Sequence, residues 1–334
     1  MGMRAVRLFA GKMLTFTVLT FYLAPTSPLS AQSLTYPTKP VRIIVPFAPG
    51  GNNDVLARGL AQRLTEHWGH QVVIENKSGA NGQLGAEYVA KAPADGYTLM
   101  VTSEGTFVMN PSLYQKLPYD PDNDFSPIAR LVDLKQALVI NPSLPVKSIS
   151  DLIELAKKKP GELSYGTNGT GSSSHLIMEM LQSMTGIKLI PVHYRGAGQA
   201  LADLSGGHIQ MMFVGAGIVA EQHRAGKLQI LAAGSITRIA EMPEIPTVAE
   251  SGLPGFDGTS WFGMFAPKGT PPALVEKIYN DVQIVFGDQQ FREKFLKPNM
   301  LEANLSPPEV TAAIINAGRE KWGMVIRDAK LKIN

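Results

Sequence analysis

The stretch VRIIVPFAPGGNND, residues 41–54, decides how this chain is read. Its first five residues are mostly β-branched and apolar, which predicts a buried strand. Pro46 to Gly51 then break the pattern, and Asn52, Asn53 or Asp54 can cap a helix over 53–68 whose Val55, Leu56, Leu60 and Leu64 make one apolar stripe. A strand ending at a glycine turn and a helix N-terminus leaves bare backbone N–H groups at the strand's carboxyl end, which suits capture of an anion. Gly50 and Gly51 let the backbone approach a ligand with no Cβ in the way. The candidate contacts here are Phe47 as an apolar wall, Pro49, Gly50, Gly51, Asn52 and Asn53. Asp54 reads as a cap or turn stabiliser, because a carboxylate facing an anion would repel it.

Upstream, residues 1–33 read as a secretory signal: Arg4, Arg7 and Lys12 make a basic start, residues 13–24 are an apolar run, and Ala31-Gln32-Ser33 offers small residues for cleavage. That run is shorter than the ~20 residues that span a bilayer. No cysteine follows it, so the expectation is a periplasmic protein without a lipid anchor. The segment carries three basic and no acidic residues, so the formal +3 of the whole chain falls to near zero once it is removed. Such a balance disfavours nucleic acid or any general polyanion as partner. With no cysteine there are no disulfides or thiolate metal sites. The six histidines show no metal-ligand spacing, and neither cofactor nor metal is expected.

Downstream, strand and helix patterns alternate. Strands are predicted at 41–46, 72–75 and 98–102, with helices at 53–68, 81–91 and from 103. A second set has strands at 138–140, 163–166, 188–192, 209–213 and 228–232, separated by helical patterns. After Pro254-Gly255 comes a strand at 261–266 and helices near 271–286, 289–295 and 308–328, expected to pack back on the first unit. The expected division is domain 1 over 34–135 and 257–334 and domain 2 over 136–256, with crossings near 133–136 and 255–260. Each lobe is expected to be an α/β unit with a mainly parallel sheet flanked by helices, and ligands bind in the crevice at strand carboxyl ends of such sheets.

The residues also carry a resemblance. YPTKPVRIIVPFAPGGNND, GANGQLGAEYVAKAPADGYTLM, NPSLYQKLPYDPDNDFSPIA, GTGSSSHL, TVAESGLPGF with SWFGMFAPKGTP, and the late KWG at 321–323 together resemble the Bug family of periplasmic receptors of tripartite tricarboxylate transporters. The resemblance implies a type II, Venus-flytrap binding protein that holds a small organic carboxylate between two lobes. Its implied partners are that ligand and integral-membrane transporter subunits, with a monomer as the working form. A sensor-kinase ectodomain as recipient and a periplasmic serine hydrolase are the alternatives.

In the second unit, TNGTGSSS at 167–174 supplies hydroxyls, amides and another exposed helix N-terminus, and resembles the family's domain-two binding loop. Thr167, Asn168, Thr170, Ser172 and Ser173 are its candidate contacts. Without a Lys in the Gly-Lys-Ser/Thr arrangement it is no phosphate loop. Ser103 and Thr106 form a weaker counterpart on the first unit. His193-Tyr194-Arg195-Gly196 resembles the family's Tyr-basic-Gly element, with Tyr194 packing on the ligand and Arg195 pairing with a carboxylate. Many relatives carry an Asp where this chain has Val214, which argues against an amino-acid ligand and for an apolar or aromatic body. The proximity of His175 to Ser172, Ser173 and Ser174 suggests a Ser-His nucleophile, yet no Gly-x-Ser-x-Gly elbow is present.

Overall fold

Strand β1 (Val41–Val45) sits between β2 (Val72–Asn76) and β3 (Thr98–Ser103), parallel to both, and four of its five side chains are buried. Burial on both faces is why its sequence is an unbroken apolar run. These coordinates come from a computed structural model that describes residues 1–2 and 35–333. The signal reading therefore lies, apart from Met1 and Gly2, outside the described residues. No described helix is long and apolar enough to cross a membrane.

Helix α1 (Asn52–Trp68) follows β1, buries Leu56, Leu60 and Leu64, and stops at Gly69, whose left-handed conformation sends its N–H to Thr65 O. Next come α2 (Gln83–Ala90), the short α3 (Gly105–Val108) and α4 (Asn110–Leu113), and β4 (Phe125–Leu134). After Lys135 the chain enters a second sheet through β5 (Gln136–Ile140), α5 (Ile149–Lys158), β6 (Ser164–Thr167), α6 (Ser173–Thr185) and β7 (Ile190–His193). It continues with α7 (Ala197–Ser205), β8 (Met211–Gly215), α8 (Ala216–Arg224) and β9 (Gln229–Ala233). It returns to the first sheet as β10 (Ser260–Pro267), then α9 (Pro272–Gly287), α10 (Gln289–Phe291), β11 (Leu301–Ser306) and α11 (Pro308–Asp328).

The first sheet has the order β11-β4-β10-β3-β1-β2 and the second β7-β6-β8-β5-β9. Both are mixed rather than mainly parallel. Pairs built by β-α-β crossovers are parallel, whereas β4, β5 and β10, the strands next to the crossings, pair antiparallel with their neighbours. Strands β4 and β11 have no clear signature in the sequence. Pro127 and Arg130 interrupt the pattern of β4, and Pro127 is tolerated opposite Phe265 because the register shifts there.

Helix α11 lies against β4 and α3 and also against α6 of the other lobe. Its Ile315, Trp322 and Ile326 join Phe107 and Phe265 from one lobe and Leu176 and Ile177 from the other in a single apolar cluster. The last helix thus ties both lobes together rather than packing only on the first. Nearby, Glu104 is almost wholly buried beside β10, and burial pushes its carboxyl up to about 8 despite the pull of Lys321 and Ser260. Lys321 donates to the carbonyl and carboxylate of Asp257, where the chain returns to the first sheet.

Candidate functional site

The turn after β1 is set by Asp54. Its Oδ2 accepts from Gly50 N at 3.0 Å and from Arg58 Nε at 2.9 Å, and its Oδ1 accepts from Asn76 Nδ2 at 2.9 Å. Burial alone would raise this carboxyl, but those hydrogen bonds outweigh it and hold Asp54 below the usual carboxylate range. Gly50 adopts φ +83°, which a side chain would strain. Gly51 is the N-cap of α1, with no side-chain cap bond, so the first-turn N–H groups stay available at this end of the helix.

The loop after β6 is built the same way and supported differently. Ser174 Oγ accepts from Asn168 N at 3.0 Å, Ser172 and Ser174 hydroxyls are 3.0 Å apart, and Gly171 N donates to His175 Nδ1 at 3.0 Å. Gly171 stands at φ +75°, where a Cβ would lie 2.6 Å from Leu113 Cδ1 of the first lobe. Its carbonyl accepts from Asn81 Nδ2, also of the first lobe, at 3.4 Å. Neither ring nitrogen of His175 bonds to Ser172, Ser173 or Ser174 among the described residues, so the Ser-His pairing suggested by the sequence does not form.

Between these loops lies a cleft of about 390 Å³, lined from both lobes and within the size range of small-metabolite sites. Of the expected contacts, Phe47, Pro49, Gly50, Gly51, Asn52, Asn53, Ser103, Asn168, Ser172, Ser173, Arg195 and Val214 line it. Thr106, Thr167, Thr170 and Tyr194 do not. Thr106 is buried, its hydroxyl 2.7 Å from that of Thr102. Thr167 is buried with its hydroxyl 2.8 Å from His193 Nδ1. Thr170 is exposed, away from the lining. Tyr194 turns to Asp203, donating at 2.6 Å, and burial together with that carboxylate pushes its phenol up to about 12.

Among the lining residues that sequence reading missed are Asn81, Met109, Leu134, Gln136, Ser260 and Phe262. Asn81 had a signal: it sits at φ +52° in the Gly79-Ala80-Asn81-Gly82 turn, a conformation Asn tolerates. Leu134, Gln136 and Ser260 line the cleft only because the chain crosses between lobes there, a fact of tertiary structure.

No Asp or Glu lines the cleft, and Arg195 forms no ion pair with protein among the described residues. Arg195 is thus the one charged side chain among the described lining residues. Asn53 Oδ1 and Gln136 Oε1 are buried without a protein partner. An unmet buried acceptor costs ~1–3 kcal/mol, so an occupant of the cleft that brings donors, bound water included, is stabilised by them. Phe47, Met109, Leu134, Val214 and Phe262 supply apolar walls. Among the described residues no cluster of His, Cys, Asp or Glu is placed to hold a metal.

Comparison with known proteins places this chain in a lineage. The family model of the tripartite tricarboxylate transporter family receptor, TctC, matches residues 56–331. Protein BugT of Bordetella pertussis is 36% identical over 309 residues, covering 92% of this chain and 94% of BugT. The structure of R. palustris Rpa4515 with adipate superposes with a TM-score of 0.85 at 35% identity, covering 89% of this chain and 100% of that one. Periplasmic binding protein BugD gives 0.82 at 34% identity, over 89% and 100% of the two chains. The chain belongs to the tripartite tricarboxylate transporter receptor family and is a two-lobed periplasmic solute-binding receptor of that family.

Proposed function

We propose that the cleft captures a small dicarboxylate with an apolar body and no amino group, and that the closed, loaded protein is handed to the membrane subunits of a tripartite transporter. The observation that carries this reading is that, among the described residues, no acidic side chain lines the cleft and Arg195, which does line it, has no carboxylate partner. An ammonium group entering this site would meet a guanidinium and helix N-termini and no carboxylate in the lining, the unpartnered buried acceptors there being the neutral amide oxygens of Asn53 and Gln136. A second carboxylate, in contrast, meets a bidentate donor. The relative solved with adipate carries a ligand of this class. The role is binding rather than catalysis, because His175 is committed to Gly171 and approaches Glu179, leaving the loop serines without a base.

The test is a thermal-shift panel on protein refolded to strip retained ligand. Aliphatic and aromatic dicarboxylates are expected to raise the melting temperature by mass action, and α-amino acids of the same skeleton are expected to leave it unchanged. A shift confined to the amino acids would overturn the reading.

A further inference from the structure

Behind the second-lobe loop runs a buried chain of polar groups with no place in the ligand chemistry above. Tyr165 on β6 donates to Glu179 Oε1 at 2.5 Å, and Gln182 Nε2 donates to the same oxygen at 2.8 Å. His175 Nε2 lies 3.6 Å from that carboxylate, with the ring itself about 1% exposed. On its other side, Nδ1 accepts the N–H of Gly171 at 3.0 Å. An acceptor nitrogen carries no proton, so the ring's hydrogen is on Nε2, facing Glu179.

Gly171 is the residue where this matters. It precedes Ser172 and Ser173, which line the cleft, and its carbonyl meets Asn81 of the opposite lobe. One residue thus touches the ligand loop, the lobe contact and the imidazole. We propose that His175 is a positioning residue for the ligand site: its Nδ1 anchors the Gly171 N–H, and loss of that acceptor releases Gly171 and with it both the 168–173 loop and the Asn81 contact. The inference rests on the reading of the cleft as the ligand site.

The titratable groups around His175 are Glu179 on its own helix, Tyr165 on β6 and His193 on β7, whose ring centroid is 4.8 Å away. Burial would raise Glu179, but hydrogen bonds from His175 and Tyr165 outweigh it and keep the carboxyl low, so it stays ionised. Burial and the neighbouring His175 hold His193 below the ordinary histidine value. On α11, packed against α6, Lys321 is committed to Asp257.

The test is adipate titration by calorimetry on wild type, His175→Asn and His175→Leu. Asparagine keeps an acceptor near the Nδ1 position and leucine does not. His175→Asn is expected to bind adipate within about threefold of wild type, and His175→Leu at least about tenfold more weakly, with a lowered melting temperature because the Gly171 N–H and Glu179 lose a partner. Equal affinities of His175→Asn and His175→Leu would overturn the proposal. A ligand-free readout separates it from the dicarboxylate reading: in nitrogen NMR without ligand, the Gly171 amide is expected to stay near its wild-type position in His175→Asn and to shift in His175→Leu. That pattern without adipate binding would count against adipate alone, whereas a Gly171 amide indifferent to His175→Leu would reject the role of His175.

Discussion

The turn after β1 and the loop after β6 do the same job with the same vocabulary, glycine followed by small polar residues opening a helix, but they are held in different ways. Asp54, an ionised carboxylate kept low by Arg58, Gly50 and Asn76, holds the first. A buried imidazole holds the second. The glycines differ too: a Cβ on Gly51 would meet nothing nearer than Ala48 O at 3.8 Å, whereas one on Gly171 would run into Leu113 of the other lobe. The first support is fixed across the neutral range and local to its lobe. The second reaches across the cleft.

Exchanging the glycines should break that comparison most sharply. Gly51→Ile is expected to weaken dicarboxylate binding by about a hundredfold or more while shifting the melting temperature by only a few degrees, since the side chain has room in the empty cleft but competes with a ligand. Gly171→Ala is expected to lower both affinity and stability, the latter by ~1–3 kcal/mol, because it combines a left-handed backbone with a clash at the lobe contact. Equal stability of the two variants, read by chemical denaturation, would contradict the contrast.

The next effect concerns the carboxylate support. Asp54→Asn is expected to cost ~1–3 kcal/mol of stability near neutral pH, as Gly50 and Arg58 lose a charged acceptor. Because the folded-state value of Asp54 is depressed, its contribution is present above the ordinary Asp range and lost as pH falls through the folded value. Denaturation midpoints of wild type and variant should therefore converge in acid; a constant gap would show that Asp54 acts only by shape.

The smallest effects fall on two positions that sequence reading favoured. Thr106→Val and Tyr194→Phe are each expected to change dicarboxylate affinity by less than about threefold, because one hydroxyl serves Thr102 and the other Asp203, away from the ligand. A tenfold loss in calorimetry for either would return it to the site.

Much of this was legible in the chain. The β1 segment with its turn and helix reads directly from VRIIVPFAPGGNND because the local rules agree there: β-branched residues, a glycine break, then an apolar stripe at helical spacing. Helix α11 was legible to the residue, yet its contact with α6 was not, since one apolar stripe does not say which of two lobes it will bury against. Strand β4 stayed hidden because Pro127, Arg130 and Asp133 break the alternation and are accommodated only by a register shift and by partners on other strands. At the cleft, residue type alone could not tell a residue of the lining, as at Ser172, from one whose hydroxyl is turned inward, as at Thr167. That Arg195 lines the cleft, with no ion pair to a carboxylate among the described residues, needed the fold.

The most direct measurement is a calorimetric cycle of two ligands, adipate and hexanoate, against two proteins, wild type and Arg195→Gln. The two acids share a chain and differ in the second carboxylate. Wild type is expected to prefer adipate by at least about tenfold, and Arg195→Gln to lose most of that preference while binding hexanoate as before. If the substitution weakens both acids equally, or leaves the preference intact, Arg195 does not hold a second carboxylate and the dicarboxylate account of the cleft is wrong.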